Sequence, residues 1–209
     1  MSVQLSNDCR YVATRQKILD QAYRIVVEKG IDQLSMRSIA TAVHSSPANL
    51  YEYFTGKDEI VYELHTRLFD VLAKQLETVD QKLAPADYLE QLGIAYLQFV
   101  QEHSVLLKLQ SHYNMDPWLN SPSVTSRNGP NGNHHRHDRT KPLFDVLQRA
   151  IQRYYAAPTQ SDEMSAGAIE DRTVAYWSML HGYAILMGLT GQLELTIRRW
   201  RRLVHQFLA

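Results

Sequence analysis

Apolar residues recur at three- and four-residue spacing along almost the whole chain, the signature of helices that each bury one face. Ile18, Leu19, Ala22, Ile25 and Val26 form one such stripe. It predicts a helix opened by Thr14, a capping residue, and stopped by Gly30. Ile39, Ala40 and Val43 mark a second, short helix. The pattern then breaks at HSSP and restarts at once, with Leu50 and Phe54 as its apolar positions. Ser46 is suited to cap this third helix, and Pro47 to its first turn, where no amide hydrogen bond is lost. Two short helices joined by so few residues make a helix-turn-helix pattern.

Thr55-Gly-Lys-Asp58 has the capping-box form and opens a longer run whose stripe is Ile60, Val61, Leu64, Leu68, Leu72 and Leu76. Pro85 starts the next run, in which Tyr88, Leu92, Tyr96, Phe99 and Val100 keep the period to Leu109. Residues 116–142 carry Pro117, Pro122, Pro130 and Pro142 among glycines and asparagines, which predicts a long polar loop. Helical spacing resumes at Leu143, fades over 157–163, and returns for two C-terminal helices meeting near Thr190 and Gly191. No alternating strand of useful length and no internal repeat is visible. The expectation is an all-α chain of roughly nine helices. Its first part, residues 1–56, is a three-helix unit containing the helix-turn-helix; residues 57–209 are a larger helical bundle.

A helical wheel of the third helix gives its surface a definite chemistry. At about 100° per residue, Leu50 and Phe54 face inward while Ala48, Asn49 and Glu52 face water, with Tyr51 and Tyr53 on the flanks. A short Ala-Asn ridge between two tyrosines suits a DNA major groove. Asn49 can pair bidentately with adenine and the Ala48 methyl can meet a thymine methyl, while tyrosine hydroxyls reach phosphates. A solvated helical hairpin is the bland alternative.

Composition narrows the function classes. Of 209 residues, 44% are hydrophobic, so a sizeable core can form. Lys+Arg and Asp+Glu are equal at 22 each, which excludes a uniformly basic coat and leaves only local patches for nucleic acid. Between Cys9 and Lys57 the basic residues Arg10, Arg15, Lys17, Arg24, Lys29, Arg37 and Lys57 exceed Asp20, Glu28, Asp32 and Glu52 by a little. Affinity would then rest on neutral phosphate contacts and on pairing two half-sites. Cys9 is the only cysteine, so an intramolecular disulfide is impossible and a reducing cytoplasm fits. The N-terminal residues lack the apolar run of a signal peptide. The most apolar segment, AYWSMLHGYAILMGL, is broken by His181 and glycines and is short for a membrane span.

The segment from Thr14 to Leu64 resembles the DNA-binding domain of the tetracycline-repressor (TetR) family of bacterial regulators. The resemblance is carried by Ile18-Leu19 and Ala22, by Glu28-Lys29-Gly30, and by Leu34-Ser35-Met36-Arg37-Ser38-Ile39-Ala40. It continues through Leu50-Tyr51-Glu52-Tyr53-Phe54 and Lys57-Asp58-Glu59. Carried over by position, it implies that Ser35 caps the first helix of the motif and touches a phosphate, with Arg37 at the groove edge. Ser46, Pro47, Ala48 and Asn49 would face the groove, and Tyr51, Tyr53 and Lys57 would bind phosphate. It implies a double-stranded DNA operator, a homodimer formed by the last two helices, and a small-molecule effector. Trp177-Ser-Met-Leu-His181-Gly182 is similar to a Trp…His-Gly signature of some C-terminal domains in this family. Two departures stand out: His44 and Ser45 replace a turn Gly and an apolar residue, and Ala48-Asn49 replace the commoner Gly-Thr.

Candidate walls for a mostly apolar effector are Tyr96, Phe99, His112, Tyr113, Trp118, Trp177 and Tyr183, because aromatic area with few charges is what such pockets use. The terminal run Leu193, Leu195, Ile197, Trp200, Leu203, Val204 and Phe207 reads as a seam for a partner helix. No nucleophile-base pattern, cofactor cradle or metal site is expected. The alternative from another class is a metal-dependent hydrolase or acyltransferase built on HHRHD, with His134, His135, His137 and Asp138. That string is similar to an acyl-transfer His-His-x-x-x-Asp motif but places its aspartate one residue short, within a Pro/Asn/Gly loop. A helical scaffold that binds protein is the third reading.

Overall fold

A computed structural model of the chain describes residues 2–112, 141–156, 165–188 and 192–209. Every regular element among them is helical: α1 (Ser2–Lys29), a 3₁₀ turn (Ile31–Gln33), α2 (Met36–Ala42), α3 (Pro47–Leu50), α4 (Lys57–Glu77), α5 (Pro85–Glu102), α6 (Val105–His112), α7 (Lys141–Tyr155), α8 (Ala166–Gly188) and α9 (Leu193–Leu208). The chain divides into two compact units, Met1–Arg67 with Lys108–Tyr113, and Leu68–Leu107 with Asn114–Ala209. No helix among the described residues is long and apolar enough to cross a membrane. The His134–Asp138 cluster lies outside the described residues.

In the first unit, α1 buries the stripe read from its spacing: Ile18, Leu19, Ala22, Ile25 and Val26. It begins far earlier than expected, so Thr14 is not a cap. Its hydroxyl instead donates to the Arg10 carbonyl at 2.9 Å, the way a threonine is accommodated inside a helix. Gly30 closes α1 at φ 87°, donating to Val26 O at 3.1 Å; this backbone conformation is strained for other residues. Leu34, Met36, Ile39, Ala40, Val43, Leu50 and Phe54 complete the core against α1. Thr55 is held by Glu59, whose carboxylate accepts from the Thr55 amide at 2.7 Å and hydroxyl at 2.8 Å.

In the second unit, α5 packs against α7, α8 and α9. The run expected to continue unbroken to Leu109 is two helices. α5 closes at His103 (φ −119°, ψ 56°), and Leu106 N bonds His103 O to restart the chain as α6. Apolar spacing survives the break because Val105 and Leu106 are buried like the residues before it. Burial sets the pattern; backbone continuity does not. Polar ends of large aromatics satisfy carbonyls inside this unit: Tyr176 donates to Leu89 O at 2.6 Å, Tyr183 to Thr196 O at 2.8 Å, and Trp200 Nε1 to Glu90 O at 3.1 Å. α9 buries Thr196, Trp200, Val204 and Leu208 at four-residue spacing. Trp200 and Val204 therefore fill their own chain's core, and only the rest of the expected seam is left for a partner.

Candidate functional site

Caps and a turn set the helix-turn-helix. Ser35 opens α2 with a reciprocal box: its Oγ accepts from Ser38 N at 3.0 Å, and Ser38 Oγ accepts from Ser35 N at 2.9 Å. At the other end, His44 N donates to Thr41 O at 3.2 Å and Ser45 N to Ala40 O at 2.9 Å. This pair of bonds is a Schellman closure, which needs a left-handed residue after the cap. His44 supplies it at φ 57°, in the position where glycine costs least. Ser46 then caps α3, its Oγ accepting from Asn49 N at 3.2 Å, with Pro47 in the first turn.

The exposed face is as the wheel laid it out at its start. Ser46, Pro47, Ala48, Asn49, Tyr51 and Glu52 are exposed, as are Ser35 and Arg37, while Leu50 and Phe54 are buried. Asn49 Nδ2 donates to Ser45 Oγ at 2.9 Å. After Leu50 the helix tightens: Tyr51 N bonds Ala48 O at 3.2 Å, Glu52 N bonds Asn49 O at 3.3 Å, and Tyr53 N bonds Leu50 O at 3.0 Å. These i−3 bonds wind the chain tighter than the wheel assumed. Tyr53, placed on a flank by the wheel, is half-buried, its ring stacked on Tyr11 at 5.0 Å. Lys57 is also half-buried and donates to Ile31 O at 3.4 Å.

Arg15 carries no mark in the sequence as part of this constellation, yet it is the hub. It donates to the Tyr53 carbonyl and to the carboxylates of Glu59 and Glu63, and its guanidinium lies 4.0 Å over the Phe54 ring. Partial burial works against the Glu59 charge, but the Thr55 amide and hydroxyl and Arg15 outweigh it, and the pKa falls below its usual 4.5. Burial likewise opposes the Arg15 charge, and the two carboxylates more than restore it. These partners stand 38 to 48 residues from Arg15, beyond any local spacing rule.

Of the candidate effector walls, the second unit brings Tyr96 and Trp177 together. Trp177 packs edge-on to Tyr96 at 5.2 Å and stacks on His181 at 5.3 Å, with Phe69 and Phe144 also against it. The Tyr96 hydroxyl and His181 Nδ1 are 2.6 Å apart. Complete burial pushes the Tyr96 phenol far above its ordinary pKa, so it stays protonated. Phe99 packs on His103 at 4.4 Å and Tyr183 on Trp200 at 6.2 Å. The side chain of His112, with Tyr113 and Trp118, falls outside the described residues. A cleft of about 110 Å³ has a different lining: Glu77, Gln81, Tyr88, Val146, Arg149, Ala150 and Arg153.

Residues 18–64 match the family model for bacterial regulatory proteins of the tetR family. Over 181 residues the chain is 24% identical to the HTH-type transcriptional repressor KstR2 of Mycobacterium tuberculosis, covering 85% of each protein. A solved Rhodococcus sp. RHA1 protein of unknown function shares the fold at a TM-score of 0.67 and 19% identity, covering 93% of each chain. A bacterial regulatory protein of the tetR family from Rhodococcus RHA1 does so at 0.64 and 15%, covering 93% of this chain and 96% of that one.

Proposed function

We propose, from the premise that this chain belongs to the TetR family of DNA-binding transcriptional regulators, that it represses by binding a palindromic operator as a homodimer and lets go when a small molecule occupies its second unit. The observation that carries the reading is the exposed Ala48-Asn49 ridge on a helix start fixed by Ser46 and Pro47. In this reading Ala48 and Asn49 read base edges, with Ser46 and Pro47 beside them in the groove. Ser35, Tyr51, Tyr53 and Lys57 hold phosphates, and Arg37 lies at the groove edge. The functional boundary falls at residue 56/57, and α4, which contributes residues to both compact units, carries the signal.

The dimer forms through α8 and α9. Ile185 and Leu186 on α8 and Leu195 on α9 are exposed apolar residues, which supports that surface. The effector is mostly apolar and meets the aromatic side chains around Tyr96 and Trp177. Two half-sites separated by about one helical turn or slightly more follow from the dimer. A gel shift of the protein on DNA from upstream of its own gene, with unrelated DNA as competitor, tests the reading. A specific shift supports it, and competition by unrelated DNA at equal strength overturns it.

A further inference from the structure

The helix that carries the groove-facing residues spans only Pro47–Leu50, too short to hold a conformation by itself. Something outside it must fix its direction. Leu50 and Phe54 anchor its buried side, and its start is held by the Ser46 cap. The end of the turn has a second fastening. The Tyr53 carbonyl lies past the end of α3, outside its hydrogen-bond ladder, and accepts from Arg15.

We infer that Arg15 is a positioning residue for operator recognition: through the Tyr53 carbonyl, the Phe54 ring and the carboxylates of Glu59 and Glu63, it locks the end of the recognition turn to the first two turns of α4. The inference rests on the DNA-binding reading above. One planar guanidinium makes all these contacts, because its donors fan out in a fixed plane whose face can cover a ring. A lysine ammonium at the same place could satisfy one carboxylate but could not span a carbonyl and two carboxylates while covering Phe54. Tyr11, one turn earlier on the same face of α1, stacks on the Tyr53 ring, so α1 holds that residue by backbone and side chain together. Two carboxylates neutralise Arg15, so its charge is committed inside the unit and is not offered to a phosphate. Any tilt of the start of α4 is thereby passed to the recognition turn.

Two variants of the full chain separate positioning from its rivals: Glu59→Gln with Glu63→Gln, and Arg15→Lys. Were Arg15 a phosphate ligand, removing the carboxylates would free it and tighten DNA binding. Were the cluster only structural, loss of folded protein would weaken operator and unrelated DNA in equal proportion. Positioning makes the ratio of operator to unrelated-DNA affinity fall by roughly tenfold in both variants, the scale of one lost base contact. It also makes the Tyr53 and Phe54 amides of the free protein exchange with solvent roughly tenfold faster, while those of Ile18–Val26 keep their rates. An unchanged affinity ratio, or full rescue by lysine, overturns the inference. If the wild type binds no upstream DNA specifically, the operator reading fails by itself, and unchanged exchange at Tyr53 and Phe54 then overturns the lock as well.

Discussion

Gly93 of α5 and Trp200 of α9 approach so closely that a Cβ on the glycine would lie 2.2 Å from the indole ring. The ring cannot easily withdraw, being fully buried, edge-on to Tyr176 at 5.8 Å and donating to the Glu90 carbonyl. Gly93→Ala should therefore destabilise the chain despite the better helix propensity of alanine. Overpacking costs about 1–3 kcal/mol or more, against a propensity gain of about 1 kcal/mol. A urea titration followed by tryptophan fluorescence checks this, with the midpoint expected to fall. A midpoint at or above that of the wild type would sink the packing argument.

The helix-turn-helix turn makes the opposite prediction. His44 sits at φ 57° in a closure that glycine fills without strain. His44→Gly should be neutral to stabilising by about 0.5–1 kcal/mol, because strain of about 1–2 kcal/mol is relieved against the extra chain entropy of glycine. His44→Val should lose about 1–2 kcal/mol, since a β-branched residue tolerates this region least. Thermal melts of both variants measure the difference, and a His44→Gly variant less stable than His44→Val would contradict it.

What the chain disclosed in advance divides along a physical line. Local rules carried the cap at Ser46 and the inward set Leu50 and Phe54, because each depends on residues within one or two turns, while the cap at Ser35 and the turn position of His44 came from the family resemblance. Local rules failed where the cause is distant. Thr14 looks like a cap when nothing shows that residues before it are helical. The α5–α6 break is invisible because both pieces bury the same kind of face. Arg15 finds its partners only after the chain has folded, and Trp200, read as part of a seam for a partner helix, packs instead against Gly93. An apolar stripe says that a face is covered and does not say by what.

Acid should loosen the first unit through Glu59. Its folded pKa lies below the ordinary 4.5 through its contacts with Thr55 and Arg15, although burial opposes them. A depressed carboxylate contributes stability that is fully present above the unfolded value and disappears as pH falls through the folded one. The stability difference between wild type and Glu59→Gln should be full at neutral pH and close progressively below pH 4.5. Melting curves at stepped pH report it. A gap that stays constant into strong acid would show that the Glu59 charge contributes nothing.

Asn49 and Lys57 should fail in different ways when each is replaced by alanine. Asn49 already spends one amide hydrogen on Ser45 Oγ, which fixes its orientation and leaves the other polar atoms for a base edge. Asn49→Ala should cost about 1–3 kcal/mol on the operator and relax preference at one base position per half-site. Lys57→Ala should weaken all sequences alike and reduce the salt slope by about one per contact. Binding to a panel of operator variants at several salt concentrations separates the two. An unchanged ranking of variants with Asn49→Ala would remove that residue from the groove.

The effector should compete with the operator by linkage. α4 is one helix, Lys57–Glu77; it gives Ile60, Val61 and Leu64 to the core of the first unit and Leu68, Phe69, Leu72 and Leu76 to the core of the second. A small molecule that binds among the second unit's aromatics can shift the DNA-binding equilibrium only by preferring one arrangement of this helix over another. Operator DNA must then weaken the small molecule by the same factor by which the small molecule weakens DNA, typically about 5–150-fold. Trp177 is a built-in reporter, stacked on His181 and edge-on to Tyr96, whose hydroxyl bonds that same histidine. Apolar ligands titrated against Trp177 emission, with and without operator, should give two affinities separated by that factor, and Tyr96→Phe should change the ligand affinity without touching operator affinity. A ligand that binds equally well in both titrations is no effector, and if every ligand that quenches Trp177 behaves so, the second unit is a dimerisation module rather than a sensor.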